Sequence, residues 1–429
     1  MKRLSLFVLP VVTAAAILLI SGSASATNGY FSHGFGAKSK GMAGAGVAIP
    51  QDAMIAATNP AGIAFVEKRV DFGLEVFNPV RQYTVDGAPS GYEGTFGLAP
   101  GTVKSDKNWF FAPHVSYNHP IDTESSAAIC VYGNGGMNTT YPDSASGGMG
   151  TFYGGETGVN LEQLFIAPTY ARKFGKNAAW GIAPVFAYQR FEAKGLRNFG
   201  GMVADGTPDN LTNNGIDTST GYGLKLGVQG EVKQNLTLAA AYETKIKMSR
   251  FKDYEDLFAE RGRFNIPPSA TIGLAYKVDP LSVVAFDIQK IWYSDIPSVS
   301  NPFSNLFEGN PLGSDNGPGF GWRDVTAYKL GYQREINPEW TVRGGVSYAR
   351  QPIPDSEVLF NILAPGVMEW HLTGGFTRQT GKRSEFTMSF MYAPTVNVKG
   401  PNPMEVPGQQ TINLRMREFE MEATWGIRF

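Results

Sequence analysis

The sequence predicts a closed antiparallel β-barrel that crosses a membrane, about fourteen strands round, with its lumen plugged by an N-terminal hatch. Three observations carry this reading. Apolar and polar residues alternate through most of the chain, candidate strands run about ten residues, and the connections between them alternate strictly between short and long. Period two gives a strand one apolar and one polar face. About ten residues is the length a tilted strand needs to cross a bilayer. Short turns on one side and long loops on the other are the habit of outer-membrane barrels. A soluble sandwich also has half-apolar strands, but it has no reason to sort its loops.

The first element is an export signal. Lys2 and Arg3 precede an apolar run from Leu4 to Ile20, and Ala24-Ser25-Ala26 supplies the small-residue exit. Residues 1–26 are therefore expected to be a signal peptide cleaved after Ala26; a single membrane anchor is the alternative, and the small-residue exit decides against it. Residues 27–64 come next. Their stretch SKGMAGAGVAIPQDAMIAATNPAG at 39–62 shows neither a helical stripe nor strand alternation. A barrel this wide is not filled by its own wall side chains. This segment lies before the first strand, and glycine and alanine let it fold back tightly. It is read as the plug.

Residues 65–429 form the barrel. Strands are expected at 70–78, 109–118, 126–136, 161–172, 179–190, 221–232, 236–246, 269–278, 281–292, 323–333, 340–350, 369–378, 384–393 and 412–429. The last alternates longest: Phe419, Met421, Ala423, Trp425, Ile427 and Phe429 against Glu420, Glu422, Thr424, Gly426 and Arg428. Trp109, Trp180, Trp292, Trp322, Trp340 and Trp425 fall near strand ends, where interfacial girdles belong. Terminal Phe429 looks like the signature read by barrel-assembly machinery.

Several function classes drop out. A net charge of −1 leaves no basic footprint for nucleic acid. The single cysteine, Cys130, forms no intramolecular disulfide and falls at an inward, packed position. Beyond the export signal, no apolar run is long enough for a spanning helix. His33, His114, His119 and His371 lack metal-ligand spacing. GFGAKSKG at 34–41 lacks a phosphate loop's glycine before Lys38 and follows no strand. No nucleophile and base can be assembled, so neither catalysis nor a cofactor is expected.

The stretch TNGYFSHGFGAKSKGMAGAGVAIPQDAMIAATNPAG at 27–62 resembles the hatch of the FadL family, outer-membrane transporters of long-chain fatty acids and other hydrophobic molecules. Asn59-Pro60-Ala61 matches that family's hatch motif. VYGNGGMNT at 131–139, LEQLFIAPTYA at 161–171 and PIPDSEVLFNILAPGV at 352–367 resemble further family segments. The resemblance implies passive uptake into the bacterial outer membrane, bypassing lipopolysaccharide. The steps it implies are external capture, luminal binding, hatch movement and lateral escape through a kinked third strand. Long-chain fatty acids are the expected substrate and a monomer the expected state. The alternatives are a FadL-like channel for smaller uncharged hydrocarbons, a general diffusion porin and an outer-membrane hydrolase.

Three sites are expected. Phe251, Tyr254, Leu257 and Phe258 lie at helical spacing in the 247–268 loop and would form an exposed capture groove with help from 191–220. Val358, Leu359, Phe360, Ile362 and Leu363 would line a luminal site, where Lys225 or Arg343, both inward by alternation, would meet a carboxylate. A luminal glutamate such as Glu231 is the competing partner for those cations. Gly133-Asn134-Gly135-Gly136 would kink the third strand, with Asn59, Pro60 and Ala61 latched beside the gap.

Overall fold

The computed structural model describes residues 27–204 and 206–429; the expected signal peptide, residues 1–26, lies outside them. Fourteen antiparallel strands close into a barrel. They are β1 (Arg69–Asp86), β2 (Phe110–Pro120), β3 (Ser125–Asn138), β4 (Gly158–Lys173), β5 (Ala178–Lys194), β6 (Asp217–Lys233), β7 (Leu236–Glu243), β8 (Ser269–Asp279), β9 (Ser282–Ile291), β10 (Val325–Asn337), β11 (Trp340–Ala349), β12 (Trp370–Gln379), β13 (Ser384–Pro401) and β14 (Thr411–Arg428). Register from Arg69↔Arg428 to Asp86↔Thr411 joins the first strand to the last, so the ring has no open edge. Two shorter pieces, Gly101–Lys104 on β1 and Lys247–Met248 on β6, add to the sheet without joining the ring.

The alternation places side chains as expected. Phe72, Leu74, Phe419 and Trp425 face outward, while Asp71, Glu75, Glu418, Glu420 and Glu422 are buried inside. Higher on the same strands the inner face turns apolar, with Phe77, Tyr83, Val85, Ile412, Leu414 and Met416 buried. The lower lumen is thus polar and the upper lumen apolar. Two expectations need correcting. β1 and β13 run well past 78 and 393, because Pro79 pairs within β1 and Pro394 sits at a bulge between Ala393 and Val396; proline is tolerated at such positions. Trp322 is no girdle residue. It is 2% exposed among the outer loops and donates to Asn361 Oδ1 at 2.6 Å.

Residues 27–66 fill the lower lumen and are tied to inward side chains almost all the way round. Lys38 Nζ meets Glu385 of β13 at 2.5 Å. Ala43 N–H donates to Thr373 Oγ1 of β12, Lys329 of β10 donates to the His33 carbonyl, and Gly46 and Val47 N–H both donate to Asp287 Oδ2 of β9. Asn118 of β2 donates to the Val66 carbonyl. The centre of this interface is Lys40, whose Nζ lies 2.5 Å from Glu75 and 3.0 Å from both Glu420 and Glu422. Burial would lower its pKa, but Glu420, Glu75 and Glu422 outweigh that and hold it well above the usual lysine value. Beside it, burial and then the Lys40 charge hold the His33 imidazole well below its usual value.

Candidate functional site

The outer loops line an apolar pocket of about 500 Å³ that is partly open to solvent. Phe191, Leu196, Phe199 and Leu211 come from the top of β5 and the loop after it. Leu257 and Phe258 come from the loop after β7, Leu312 and Phe320 from the loop after β9, and Phe360 and Leu363 from the loop after β11; among the described residues Ser298 is the polar lining residue and no charged side chain lines it. The capture loop is not the exposed helical stripe expected from its spacing. Phe251, Tyr254 and Phe258 are buried, and a turn of 3₁₀ helix spans Lys252–Tyr254 only. Phe251 and Tyr254 pack on Phe191 at 5.5 and 4.9 Å between ring centroids. Leu257 and Phe258 do reach the cavity. The expected groove and luminal cluster are therefore one site, since Phe360 and Leu363 line the same space while Val358, Leu359 and Ile362 are buried in the surrounding core.

The expected cations do not join that site. Lys225 points inward as the alternation requires, but it pairs with Glu243 at 3.0 Å and donates to the Ala57 carbonyl. The competing partner was misjudged as well: Glu231 is exposed and accepts from Asn177 Nδ2. Arg343 donates to Gln51 Oε1, Gln333 Oε1 and Thr377 Oγ1. Both cations belong to the plug interface. There, Glu75, Glu420 and Glu422 form the carboxylate cluster close enough to hold a metal ion, among the described residues, and the Lys40 ammonium already lies within 3.0 Å of all three. Cys130 is buried with its thiol directed at the Ala53 carbonyl.

The wall is interrupted where the glycine-rich third strand predicts. β2 and β3 pair only from Val115↔Val131 to Pro120↔Ser126. Above that, residues 110–113 of β2 pair with β1, and residues 132–138 of β3 pair with β4. The register on β4 slips at Asn134, between Gly133 and Gly135, and Gly135 has φ 147°, a conformation open to glycine and costly for other residues. The plug covers part of the freed edge: Ser32 N–H donates to the Asn134 carbonyl at 2.9 Å and Gly136 N–H donates to the Tyr30 carbonyl at 3.1 Å. Freed backbone is thereby paired inside the protein instead of facing lipid. A cavity of about 250 Å³ lies at the interruption between Pro113, His114, Tyr132 and Gly133, and Phe35 of the plug stands against Tyr132 at 4.8 Å between ring centroids. Tyr30, Ser32 and Phe35 were not singled out from the sequence; nothing in a glycine-rich segment distinguishes a residue that will add to a strand edge.

The motif Asn59-Pro60-Ala61 is not beside this gap. Asn59 Oδ1 caps Ala61 N–H at 3.1 Å and its Nδ2 donates to the Val47 carbonyl at 2.9 Å. Asn59 and Pro60 press on Gly227 of β6, and Pro60 and Ala61 press on Gly181 of β5. A Cβ at Gly227 would sit 2.0 Å from Asn59 Oδ1, so the wall is glycine there to admit the motif. The motif expected beside β3 thus packs on β5 and β6.

Comparison with known proteins agrees with this architecture. Residues 17–393 match the family model described as outer membrane protein transport protein (OMPP1/FadL/TodX). The long-chain fatty acid transport protein of Escherichia coli K12 is 22% identical over 346 residues, covering 70% of this chain and 74% of that protein. The Pseudomonas putida toluene transporter TodX superposes with a TM-score of 0.66 at 17% identity, covering 92% of this chain and 99% of its own. A Pseudomonas aeruginosa FadL homologue gives 0.69 at 15% identity, covering 94% and 100%. Barrel fold and family model converge: the chain belongs to the OMPP1/FadL/TodX family of bacterial outer-membrane transport proteins for hydrophobic compounds.

Proposed function

We propose that this protein carries long-chain fatty acids from the cell exterior into the outer membrane, without energy input. The apolar cavity under the outer loops is the observation that carries the reading: a site with no charged lining residue among the described residues suits a hydrocarbon chain and disfavours sugars. Burying such a chain is worth about 0.8 kcal/mol per methylene, enough to draw it out of the polar saccharide layer. The molecule then passes down the lumen, the plug yields at Tyr30–Phe35, and the molecule leaves sideways between β2 and β3. A plugged lumen argues against a general diffusion porin. The uncharged lining also suits smaller neutral hydrocarbons, which is the second reading. The test is paired: uptake of labelled oleate by cells bearing the barrel, and swelling of liposomes containing it in arabinose. Oleate uptake without sugar entry is expected; sugar entry without oleate uptake would make it a porin.

A further inference from the structure

We propose that Arg81 recognises the carboxylate of a fatty acid in a second cavity, placed behind the interrupted wall; this deepens the transport reading above and rests on it. That cavity, about 340 Å³, is lined by Phe77 and Pro79 of β1, Met137 of β3, Met416 of β14 and Trp322, with Arg81 in its wall. It also touches Gly136 on the freed part of β3 and Gly29 of the plug. Ala364 lines it while the preceding Leu363 lines the outer cavity, so one loop borders both spaces.

Arg81 is 3% exposed, and its bonding is incomplete. Its guanidinium donates to Ser105 Oγ at 3.2 Å, to the Lys107 carbonyl and to Asn108 Oδ1 at 3.4 Å, all neutral acceptors. Its buried Nε has no hydrogen-bond partner among the described residues. No carboxylate of the described residues lies within 4.0 Å, Glu418 included; the Phe110 ring lies 5.3 Å away. Arginine is almost never fully buried without a partner, because an uncompensated charge in an apolar setting is expensive. The other buried cations contrast with it. Lys38, Lys40, Arg69 and Lys225 each hold a carboxylate. Arg343 and Lys329 bond to polar groups of the plug and the lower lumen. Arg81 fronts an apolar space with a donor to spare. A carboxylate at Nε and an alkyl chain among Phe77, Met137, Trp322 and Met416 would complete it, and charge-assisted hydrogen bonds of this kind are the strong ones.

The test compares oleic acid with its methyl ester, which keeps the chain and loses the charge, by equilibrium binding to the purified barrel in detergent. Wild type should bind oleate at least about ten-fold more tightly than the ester, as expected for a hydrogen bond to a charged group. Arg81→Gln should weaken oleate to the level of the ester and leave the ester unchanged, with Arg81→Lys between; heat-modifiable gel mobility confirms each fold. Equal binding of acid and ester by wild type overturns the assignment, as does a loss in Arg81→Gln that falls on both alike. If neither is bound, the transport reading itself fails and the assignment with it.

Discussion

The outer cavity and the plug–wall interface share one lumen, yet they are built from opposite chemistry. The cavity is aromatic and aliphatic, with Ser298 its one polar lining residue among the described residues. The interface below it is crowded with buried charge: Lys38 on Glu385, Lys225 on Glu243, and Lys40 among Glu75, Glu420 and Glu422. On the proposed function, the difference divides capture from closure. Apolar contact is undirected, so the cavity can accept a flexible chain in many poses. Buried ion pairs demand fixed geometry and leave a costly charge when broken, so the interface holds the plug in one position.

The sharpest way to break this comparison is at its charged end. Lys40→Ala removes the cation shared by three buried carboxylates and should loosen the plug by about 3–5 kcal/mol, read as rapid proteolysis within residues 27–66 and as sugar leakage in liposome swelling. A plug that stays protected would mean the ion cluster does not hold it. Next in size is the apolar end: Leu257→Ser with Phe258→Ser removes two lining side chains, each worth about 1.5–3 kcal/mol of burial, and should weaken oleate binding at least ten-fold while leaving the barrel folded. Changing Lys225 and Arg343 to Gln should move oleate binding little, since neither lines the outer cavity; a loss comparable to the Leu257/Phe258 pair would return them to the binding site. The smallest effect is that of pH. His33 has a folded-state pKa held below its unfolded value of about 6.5, by burial and then by Lys40, His371 and Lys329. Its contribution to stability is therefore complete above that value and declines as pH falls below it. His33→Gln should flatten that decline in plug protection between about pH 6.5 and 5, measured against wild type; an unchanged slope would assign the acid sensitivity elsewhere.

The barrel was legible because period-two alternation and sorted loops are wall properties, set residue by residue against lipid. Each of the fourteen strands lies where alternation places it. The ends were less legible: Pro79 ended the first expected strand, and Arg81 was hidden in a supposed loop although Arg81, Tyr83 and Val85 continue the alternation. The third-strand interruption could be read because three glycines in four residues are out of place in a strand. The outer cavity was half read. Leu257, Phe258, Phe360 and Leu363 were found by hydrophobicity, but their union, and the part played by Phe191, Phe199 and Phe320, depends on how four loops fold together. The 3.6-residue spacing of Phe251, Tyr254, Leu257 and Phe258 misled because burial against Phe191, not a helix, brings them together. Lys225 and Arg343 were rightly placed inward, but alternation does not say what an inward cation meets. The Asn59-Pro60-Ala61 motif was expected at the gap, yet Gly181 and Gly227, which admit it, lie on β5 and β6.

The central claim is lateral exit through the interrupted third strand. It is tested most directly by Gly135→Val, with folding confirmed by heat-modifiable gel mobility and with oleate binding and oleate delivery into the membrane measured on the same preparation. Valine does not tolerate φ 147° at position 135, so the strand must straighten toward β2. The account predicts binding at the outer cavity unchanged and delivery abolished; full delivery through a folded, straightened third strand would contradict it.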